Sequence, residues 1–235
     1  MPQSVTRRVH QEGIVMIELK NITKIYNPKK HNRFRALNGI TLSVNDGEFC
    51  AIIGKSGSGK STLLHIIGML DTFSGGEYFL NGKNVSKFNE RAAAKIRARS
   101  IGFVKQDFAL IDEYSALDNV MIPLYPIKAH DKKKKALSAI EKLGISKLAD
   151  KDVSQLSGGE KQRVAIARAI VNDPKIILAD EPTGSLDSKT AAEIMSVFKR
   201  LNDDGKTVII VTHDLGIAKQ CDRIIEISDG EIVSK

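Results

Sequence analysis

The sequence predicts an α/β fold whose core is a mostly parallel sheet. Three short segments are continuously apolar, as expected for strands buried on both faces: FCAII (49–53), IILA (176–179) and VIIV (208–211). Helical patterns separate these segments along the chain. Strands that alternate with helices run parallel, because each connection crosses back over the sheet before the next strand begins.

Further strands are predicted on either side of this core. Segments 17–23 (IELKNIT) and 39–44 (GITLSV) alternate between apolar and polar residues, and we expect them in an N-terminal antiparallel β region. GEYFLNG (76–82) predicts a short strand that ends in a turn. Near the C terminus, RIIEIS and EIVSK flank a turn at Asp229–Gly230.

The helical patterns fall into two groups. Helices at 60–69 and 188–201 lie between the apolar strands and belong to the core. Residues 90–156 differ, because they hold most of the lysine-rich helical pattern and are interrupted by Pro123 and Pro126. We interpret this segment as a helical insert within the α/β core.

Three parts follow from this organisation. Residues 1–15 are predicted to be an N-terminal extension that is outside the folded domain. A single domain then covers 16–235, with a catalytic core of about 16–95 and 157–235 and a helical subdomain of about 96–156.

The composition indicates the cellular compartment in which this protein is expected. Two cysteines argue against a disulfide framework and for a reducing environment. No segment approaches the roughly 18 apolar residues of a membrane helix, and residues 1–15 lack the apolar run of a signal peptide. We therefore expect a cytosolic chain that does not cross a membrane by itself.

The distribution of charge indicates which classes of binding partner are expected. A net charge of +8 suggests nucleic acid or an anionic membrane surface. The basic residues are scattered, however, and no aromatic residues lie between them to stack on bases. Solvated basic faces are the favoured interpretation, with attraction to anionic lipid headgroups as a second effect; no specific nucleic acid is expected.

One glycine-rich turn has the spacing of a phosphate-binding loop, Gly54-x-x-x-x-Gly59-Lys60-Ser61, between an apolar strand and a helix. Its glycines let successive backbone N–H groups face one anion, and the helix dipole favours negative charge there. Lys60 is predicted to reach the β- and γ-phosphates, and the Ser61 hydroxyl to coordinate Mg²⁺. The predicted ATP-binding residues of the loop are Gly54, Ser56, Gly57, Ser58, Gly59, Lys60, Ser61 and Thr62.

Two adjacent acids end the strand IILA, at the sheet edge where the phosphate loop lies. Asp180 is expected to hold the Mg²⁺ shell and Glu181 to polarise an attacking water. Such acids can also be plain solvent-facing residues, but a phosphate loop in the same chain favours catalysis. His213 ends the strand VIIV and is a candidate contact for the γ-phosphate, although a single histidine at a strand end is usually structural.

A second glycine-containing helix start, QLSGGEKQRV, follows the helical insert. It has no lysine at the phosphate-loop position and no acidic strand paired with it. One parallel core carries one nucleotide site, so this helix start is left to serve another copy. Ser157 and Gly159 are therefore predicted to cap the γ-phosphate of an ATP held by a second chain, which gives a head-to-tail homodimer around two ATP molecules.

Together these motifs resemble the nucleotide-binding subunit of an ABC transporter, a phosphate-loop NTPase, over about 16–235. The sequence LSGGE matches that family's signature motif, which separates it from other phosphate-loop ATPases. The residues that correspond to it are Leu156, Ser157, Gly158, Gly159 and Glu160. The resemblance implies an ATPase that uses ATP and Mg²⁺ and works on the cytoplasmic side of the cell membrane, peripherally, with a membrane permease as partner.

The resemblance also implies roles for residues that no spacing argument reaches. Gln106 corresponds to the loop glutamine that senses Mg²⁺ and couples to the transporter, and Tyr26 to the aromatic residue that stacks on adenine. His213 corresponds to the switch histidine, and with Glu181, Gln106 and Lys60 it completes the implied catalytic set. The loop that crosses between subunits corresponds to Ser185, Leu186 and Asp187.

Within the family, DEPTGSLD and LDTFSGGEYFLNG are most similar to the branch that serves macrolide export, lipoprotein release and antimicrobial-peptide transport. Two residues depart from the family pattern: Lys105 stands where an aromatic residue often precedes the glutamine, and Glu160 replaces the commoner glutamine. The family's permease contact corresponds to about 107–126, where Phe108, Leu110, Ile111 and Tyr114 are available.

Two other classes share parts of this pattern. A DNA-clamp ATPase would separate Lys60 from Ser157 by hundreds of coiled-coil residues, whereas about a hundred intervene here without sustained heptads. A ribosome-acting ATPase of the soluble type usually carries two cassettes in one chain, and this sequence has one.

Overall fold

The computed structural model describes residues 14–27 and 33–234. The predicted N-terminal extension therefore lies almost wholly outside the described residues. The strands are β1 (Val15–Tyr26), β2 (Phe34–Asn45), β3 (Phe49–Ile53), β4 (Gly75–Leu80), β5 (Lys83–Asn84), β6 (Ile101–Val104), β7 (Ile176–Asp180), β8 (Thr207–Val211), β9 (Arg223–Ser228) and β10 (Glu231–Ser234). The helices are α1 (Lys60–Ile67), α2 (Glu90–Ser100), α3 (Ala116–Met121), α4 (Lys132–Lys142), α5 (Gly158–Ile170), α6 (Ser188–Asp203) and α7 (Leu215–Ala218).

The strands form two sheets. The larger has the order β10-β9-β3-β8-β7-β6, in which β9, β3, β8, β7 and β6 are parallel and only β10 is antiparallel. The smaller has the order β2-β1-β4-β5 and is antiparallel throughout. The predicted α/β class, with a mostly parallel sheet and an N-terminal antiparallel region, is confirmed.

Both faces of the larger sheet are buried, which explains the continuously apolar strands. Along β8, Ile209 and Val211 pack with the smaller sheet and α1, whereas Val208 and Ile210 pack on the opposite face. The opposite face is covered by helices α3 to α6. The phosphate-loop edge is thus held between two separate hydrophobic clusters.

Sequence reasoning did not predict strand β6. Residues 101–104 fall within the predicted helical subdomain, but they form β6 and pair in parallel with β7 at the edge of the larger sheet. IGFV is short and follows α2 directly, so it offers no alternation to separate it from the helical pattern. We propose that the helical subdomain begins after Val104.

The described residues include no helix with the length and apolar character needed to span a bilayer.

Candidate functional site

The phosphate loop connects β3 to α1 and requires its glycines. Gly54, Gly57 and Gly59 have φ angles of 151°, 78° and 104°, a region that side chains with a Cβ rarely adopt. A Cβ at Gly54 would lie 2.1 Å from the carbonyl oxygen of Ile227, and one at Gly59 would lie 2.6 Å from that of Ala36. Main-chain atoms of two neighbouring strands therefore fix the path of the loop.

Lys60 begins α1 and is folded into the loop. Its side chain is buried, and its Nζ donates to the carbonyl oxygens of Gly54 and Lys55, each at 2.8 Å. No acidic residue occupies the first turn of α1. The positive end of the helix and the ammonium group thus act together on the space inside the loop, as an anion site requires.

Asp180 at the end of β7 lies beside the loop. The Ser61 hydroxyl donates to its Oδ1 at 3.2 Å, which brings together two of the predicted metal ligands. Burial raises the pKa of the Asp180 carboxyl above its ordinary value, against the opposing effects of Ser61, His65 and Lys60. Oxygen donors of this kind, completed by phosphate oxygens and water, fit Mg²⁺, which rarely uses a full protein cage.

Glu181 and His213 meet across neighbouring strands. Glu181 Oε1 lies 2.9 Å from His213 Nδ1, because β7 and β8 pair in parallel and end together. Glu181 has a left-handed φ of 47°, and its backbone N donates to the carbonyl oxygen of Val211 at 2.9 Å. The carboxylate is largely covered, at 17% exposure, while the imidazole is 71% exposed. The pair therefore lies where β7 and β8 end, with its imidazole open to solvent.

Gln106 follows β6 and reaches the same edge. It lines a cleft of about 520 Å³ together with Asp180 and Ser185. A Cβ at Gly184 would lie only 3.0 Å from Gln106 Nε2, so the amide rests against the loop that follows Glu181. The predicted glutamine is thus close to the predicted metal ligand, although Gln106 and Asp180 are 74 positions apart in the chain.

The signature segment starts α5 with a double cap. Glu160 N donates to Ser157 Oγ at 3.4 Å, and Ser157 N donates to Glu160 Oε2 at 2.9 Å. The hydrogen bonds from Ser157 hold the pKa of Glu160 below its usual value. Leu156 is buried in the core of the helical side, whereas Ser157 and Gly158 are exposed. The departure from the family's usual glutamine therefore keeps a working capping box.

We expect Glu160→Gln to change the free energy of unfolding by less than about 0.5 kcal/mol, because glutamine also completes a capping box. Glu160→Ala removes one arm of the box and is expected to cost about 0.5–1 kcal/mol. Urea unfolding of the two variants checks this, and equal stability of the alanine variant and the parent would contradict it.

The predicted inter-subunit loop touches the signature segment within one chain. Asp187 caps α6 by accepting from the N–H groups of Lys189 and Thr190, both at 3.0 Å. A Cβ at Gly159 would lie 2.5 Å from Thr190 Cγ2, and one at Gly158 would lie 3.3 Å from Leu186 Cδ2. Small residues at 158–159 thus let α5 start against the first turn of α6.

Tyr26 ends β1 directly opposite Phe34 of β2. Its hydroxyl donates to Asp71 Oδ2 at 2.7 Å, while Phe34 is 55% exposed. Burial and Asp71 raise the pKa of Tyr26, and Thr62, on the first turn of α1, lowers it. The predicted adenine platform therefore lies close to the phosphate loop.

Sequence reasoning missed two polar residues of α5 that organise the site, the buried Gln162 and the half-buried Arg168. Gln162 donates to the carbonyl oxygen of Pro182, next to Glu181, at 2.7 Å. Arg168 donates to the carbonyl oxygens of Phe108 and Ala109, two residues in left-handed conformation after Gln106. Their only signal in the sequence is a polar residue in an amphipathic helix, which a single sequence does not distinguish from a surface residue.

Comparison with known proteins agrees with this geometry. The family model described as "ABC transporter" matches residues 37–184. The macrolide export ATP-binding/permease protein MacB of Chlorobaculum tepidum is 47% identical over 219 residues, which cover 93% of this chain but only 34% of that protein. This chain therefore spans about a third of the length of that relative. The uncharacterized ABC transporter ATP-binding protein YvrO of Bacillus subtilis is 47% identical over 220 residues, covering 93% of this chain and 96% of YvrO.

A solved structure is similar along almost its whole length. The dimeric structure of MJ0796, described as an ABC transporter cassette, superposes with a TM-score of 0.85 at 45% identity, covering 93% of this chain and 97% of that one. A second MJ0796 structure, a dimeric post-hydrolysis state bound to ADP and Pi, gives a TM-score of 0.86. Given the family match, the full-length relative and this fold, the chain belongs to the ABC transporter family, as an ATP-hydrolysing cassette.

Proposed function

We propose that this chain binds ATP with the triphosphate in the phosphate loop and hydrolyses it at the edge formed by β7 and β8. The observation that carries the proposal is the 2.9 Å contact between Glu181 and His213, next to the Ser61–Asp180 pair. A carboxylate that accepts a proton from water lies there beside groups that stabilise phosphate charge. That is the arrangement that phosphoryl transfer to water needs.

Each group has one task in this mechanism. Lys60 and the backbone N–H groups of the loop hold the β- and γ-phosphates and offset their charge. Glu181 accepts a proton from the attacking water, and His213 holds Glu181 and reaches toward the γ-phosphate. Ser61, Asp180 and Gln106 would hold Mg²⁺, which would neutralise part of the phosphate charge when bound.

We propose that two copies close head to tail around two ATP molecules. Ser157 and Gly159 are exposed or half-exposed at the positive end of α5, where a γ-phosphate of the other copy can be capped. The dimeric state of the MJ0796 cassettes supports this arrangement. The loop of Ser185, Leu186 and Asp187 lies beside the signature segment and would join the same interface.

We propose further that the dimer drives a separate membrane permease at the cytoplasmic face of the membrane. The MacB relative joins an ATP-binding part and a permease in one protein, and this chain corresponds to about the ATP-binding third of it. Export or extraction of a peptide, lipoprotein or antibiotic is the transport that the branch suggests. An ATPase acting on DNA or ribosomes is the alternative; no observation on the described residues favours it.

We propose a narrower permease contact than residues 107–126, because two of the four apolar residues named there are covered. Leu110 packs against the core of the helical side, and Phe108 is half-buried beside Gln106. Ile111 and Tyr114 remain exposed, at 38% and 48%. The buried Asn119 supports this loop, because it accepts from Ile111 N at 2.8 Å and donates to Ile111 O at 3.0 Å.

We expect Tyr114→Asp to remove the permease-stimulated part of ATP turnover and to leave basal hydrolysis within about twofold. A charge at an exposed contact residue costs interface energy without touching the nucleotide site. Phosphate release is measured with and without the permease in nanodiscs. Val233→Asp is the matched control, since Val233 is 57% exposed on β10. An equal loss of stimulated turnover in both variants, or an equal loss of basal and stimulated turnover in Tyr114→Asp, would contradict Tyr114 as a permease contact. A parent chain that releases no phosphate would contradict the proposed ATP hydrolysis itself.

A further inference from the structure

Tyr26 is held by two residues that the proposed nucleotide chemistry does not use. The Tyr26 hydroxyl donates to one oxygen of Asp71 at 2.7 Å, and the Lys24 ammonium donates to the other at 2.6 Å. One carboxylate therefore joins two side chains that lie two residues apart on β1. The three groups form a closed cluster, which we call the Tyr26 clamp: Lys24, Tyr26 and Asp71.

The clamp is stabilised because its ammonium group is covered and bonded to two oxygens. Lys24 is 7% exposed, and its Nζ also donates to the carbonyl oxygen of Thr72 at 2.5 Å. A covered ammonium that loses its partners is costly, so this geometry resists rearrangement. Partial burial alone would raise the pKa of Asp71, but the bonds from Lys24 and Tyr26 outweigh it and hold that pKa below its usual value.

The clamp also leaves the ring with two unequal faces. Lys24 Nζ lies 4.6 Å from the centroid of the Tyr26 ring, within the range of a cation–π contact. The ammonium group thus occupies one face of the ring. A planar ligand can stack only on the other face.

We propose that Asp71 and Lys24 are positioning residues that fix the Tyr26 ring so that its free face stacks on the adenine of ATP. This inference rests on the ATP binding proposed above and adds two residues to it. Asp71 follows α1 by four positions, and α1 begins at Lys60 of the phosphate loop. The clamp therefore ties the base platform to the same helix that holds the triphosphate, which sets the spacing between the two.

The clamp has a consequence for base recognition. The Tyr26 hydroxyl is already engaged as a donor to Asp71, so the ring offers the base its face rather than a hydrogen-bond donor. Stacking on a ring face tolerates any base. Tyr26 is therefore expected to contribute affinity for a nucleotide and little selection between adenine and guanine.

The test compares two ligands that differ in the base. ATP and inorganic tripolyphosphate are titrated calorimetrically into the parent chain and into Asp71→Ala. The buffer contains EDTA, so that ATP is not hydrolysed during the titration. Freeing the ring restores its side-chain entropy, which binding must then remove, so we expect ATP to bind about threefold to tenfold more weakly. Tripolyphosphate has no base, and its affinity is expected to stay the same.

Three further variants make the result specific. Ser74→Ala removes the bond from Ile25 N to Ser74 Oγ, next to the clamp, and should leave both affinities unchanged. In a Tyr26→Ala background, Asp71→Ala should have no further effect on ATP, because Asp71 acts through the ring. Asp71→Asn keeps an oxygen that can accept from Tyr26, and is expected to weaken ATP binding about twofold. If the alanine variant does not fold, this variant tests the role of Asp71 in its place.

The possible outcomes separate the clamp from the proposed function. Unchanged ATP affinity in the Asp71 variants, or equal weakening of ATP and tripolyphosphate, overturns the clamp, since the second result means a general distortion of the phosphate loop. A parent chain that binds neither ligand overturns the proposed function instead. A loss confined to ATP and absent in the Tyr26→Ala background supports the clamp.

Discussion

Glu181→Gln is expected to lower the rate of ATP hydrolysis by about 10²- to 10⁴-fold while leaving ATP affinity nearly unchanged. Glutamine has the size of glutamate and can keep the contact with His213 Nδ1, which is 2.9 Å from the carboxylate. It cannot accept a proton from the attacking water. Phosphate release and ATP binding, measured on the same preparation, check both parts of this prediction.

The same variant is expected to accumulate as an ATP-bound dimer, because closure needs the nucleotide but not the proton transfer. Light scattering at saturating ATP measures the mass, with and without the permease. Glu141→Gln is the matched control, since it makes the same change on the exposed side of α4 and should hydrolyse ATP normally. Hydrolysis retained within about tenfold in Glu181→Gln would remove this residue from the catalytic set.

Ser157→Arg, added to Glu181→Gln, is expected to abolish the dimer. A bulky cation at the start of α5 would replace the small hydroxyl that faces the γ-phosphate of the other copy. The phosphate loop is untouched, so the double variant should still bind ATP as a monomer. Sedimentation velocity with ATP distinguishes the two species.

The structure shows why this test needs a stability control. Ser157 also caps α5, and losing the cap costs about 1 kcal/mol regardless of any dimer. Glu160→Ala in the same Glu181→Gln background damages the cap but keeps the hydroxyl, and should still dimerise. A dimer that persists with arginine at position 157 would refute the role given to the signature segment.

The sequence predicted those parts of the site whose conformation is determined by residues adjacent in the chain. The loop from Gly54 to Ser61 needs glycine at positive φ angles and a helix start, and both are visible as residue types at fixed spacing. Asp180 follows a continuously buried strand, so its place at the end of a parallel sheet is equally local information.

The other arrangements depend on which elements become neighbours, and periodicity does not encode that. Glu181 meets His213 because β7 pairs with β8. Gln106 lines the same cleft as Asp180 because the four residues of β6 join the sheet beside β7. A strand of this length is stabilised by its neighbour rather than by its own pattern. The sequence therefore predicted a helical segment where the sheet has an edge strand.

The Tyr26 clamp shows the same limit at the level of side chains. From the sequence, Tyr26 had a role only through resemblance to a family, and Lys24 and Asp71 had none. A lysine in an alternating strand is predicted to be solvent-exposed. In the folded chain, however, Lys24 is buried and paired with Asp71, which lies 47 positions away in the sequence. The sequence by itself determined the phosphate loop, the strand-end acids and the glycine-containing start of α5, because each is set by adjacent residues. Only the tertiary structure decided how the proposed adenine platform is held, because one carboxylate after α1 must reach two side chains on β1 of the smaller sheet.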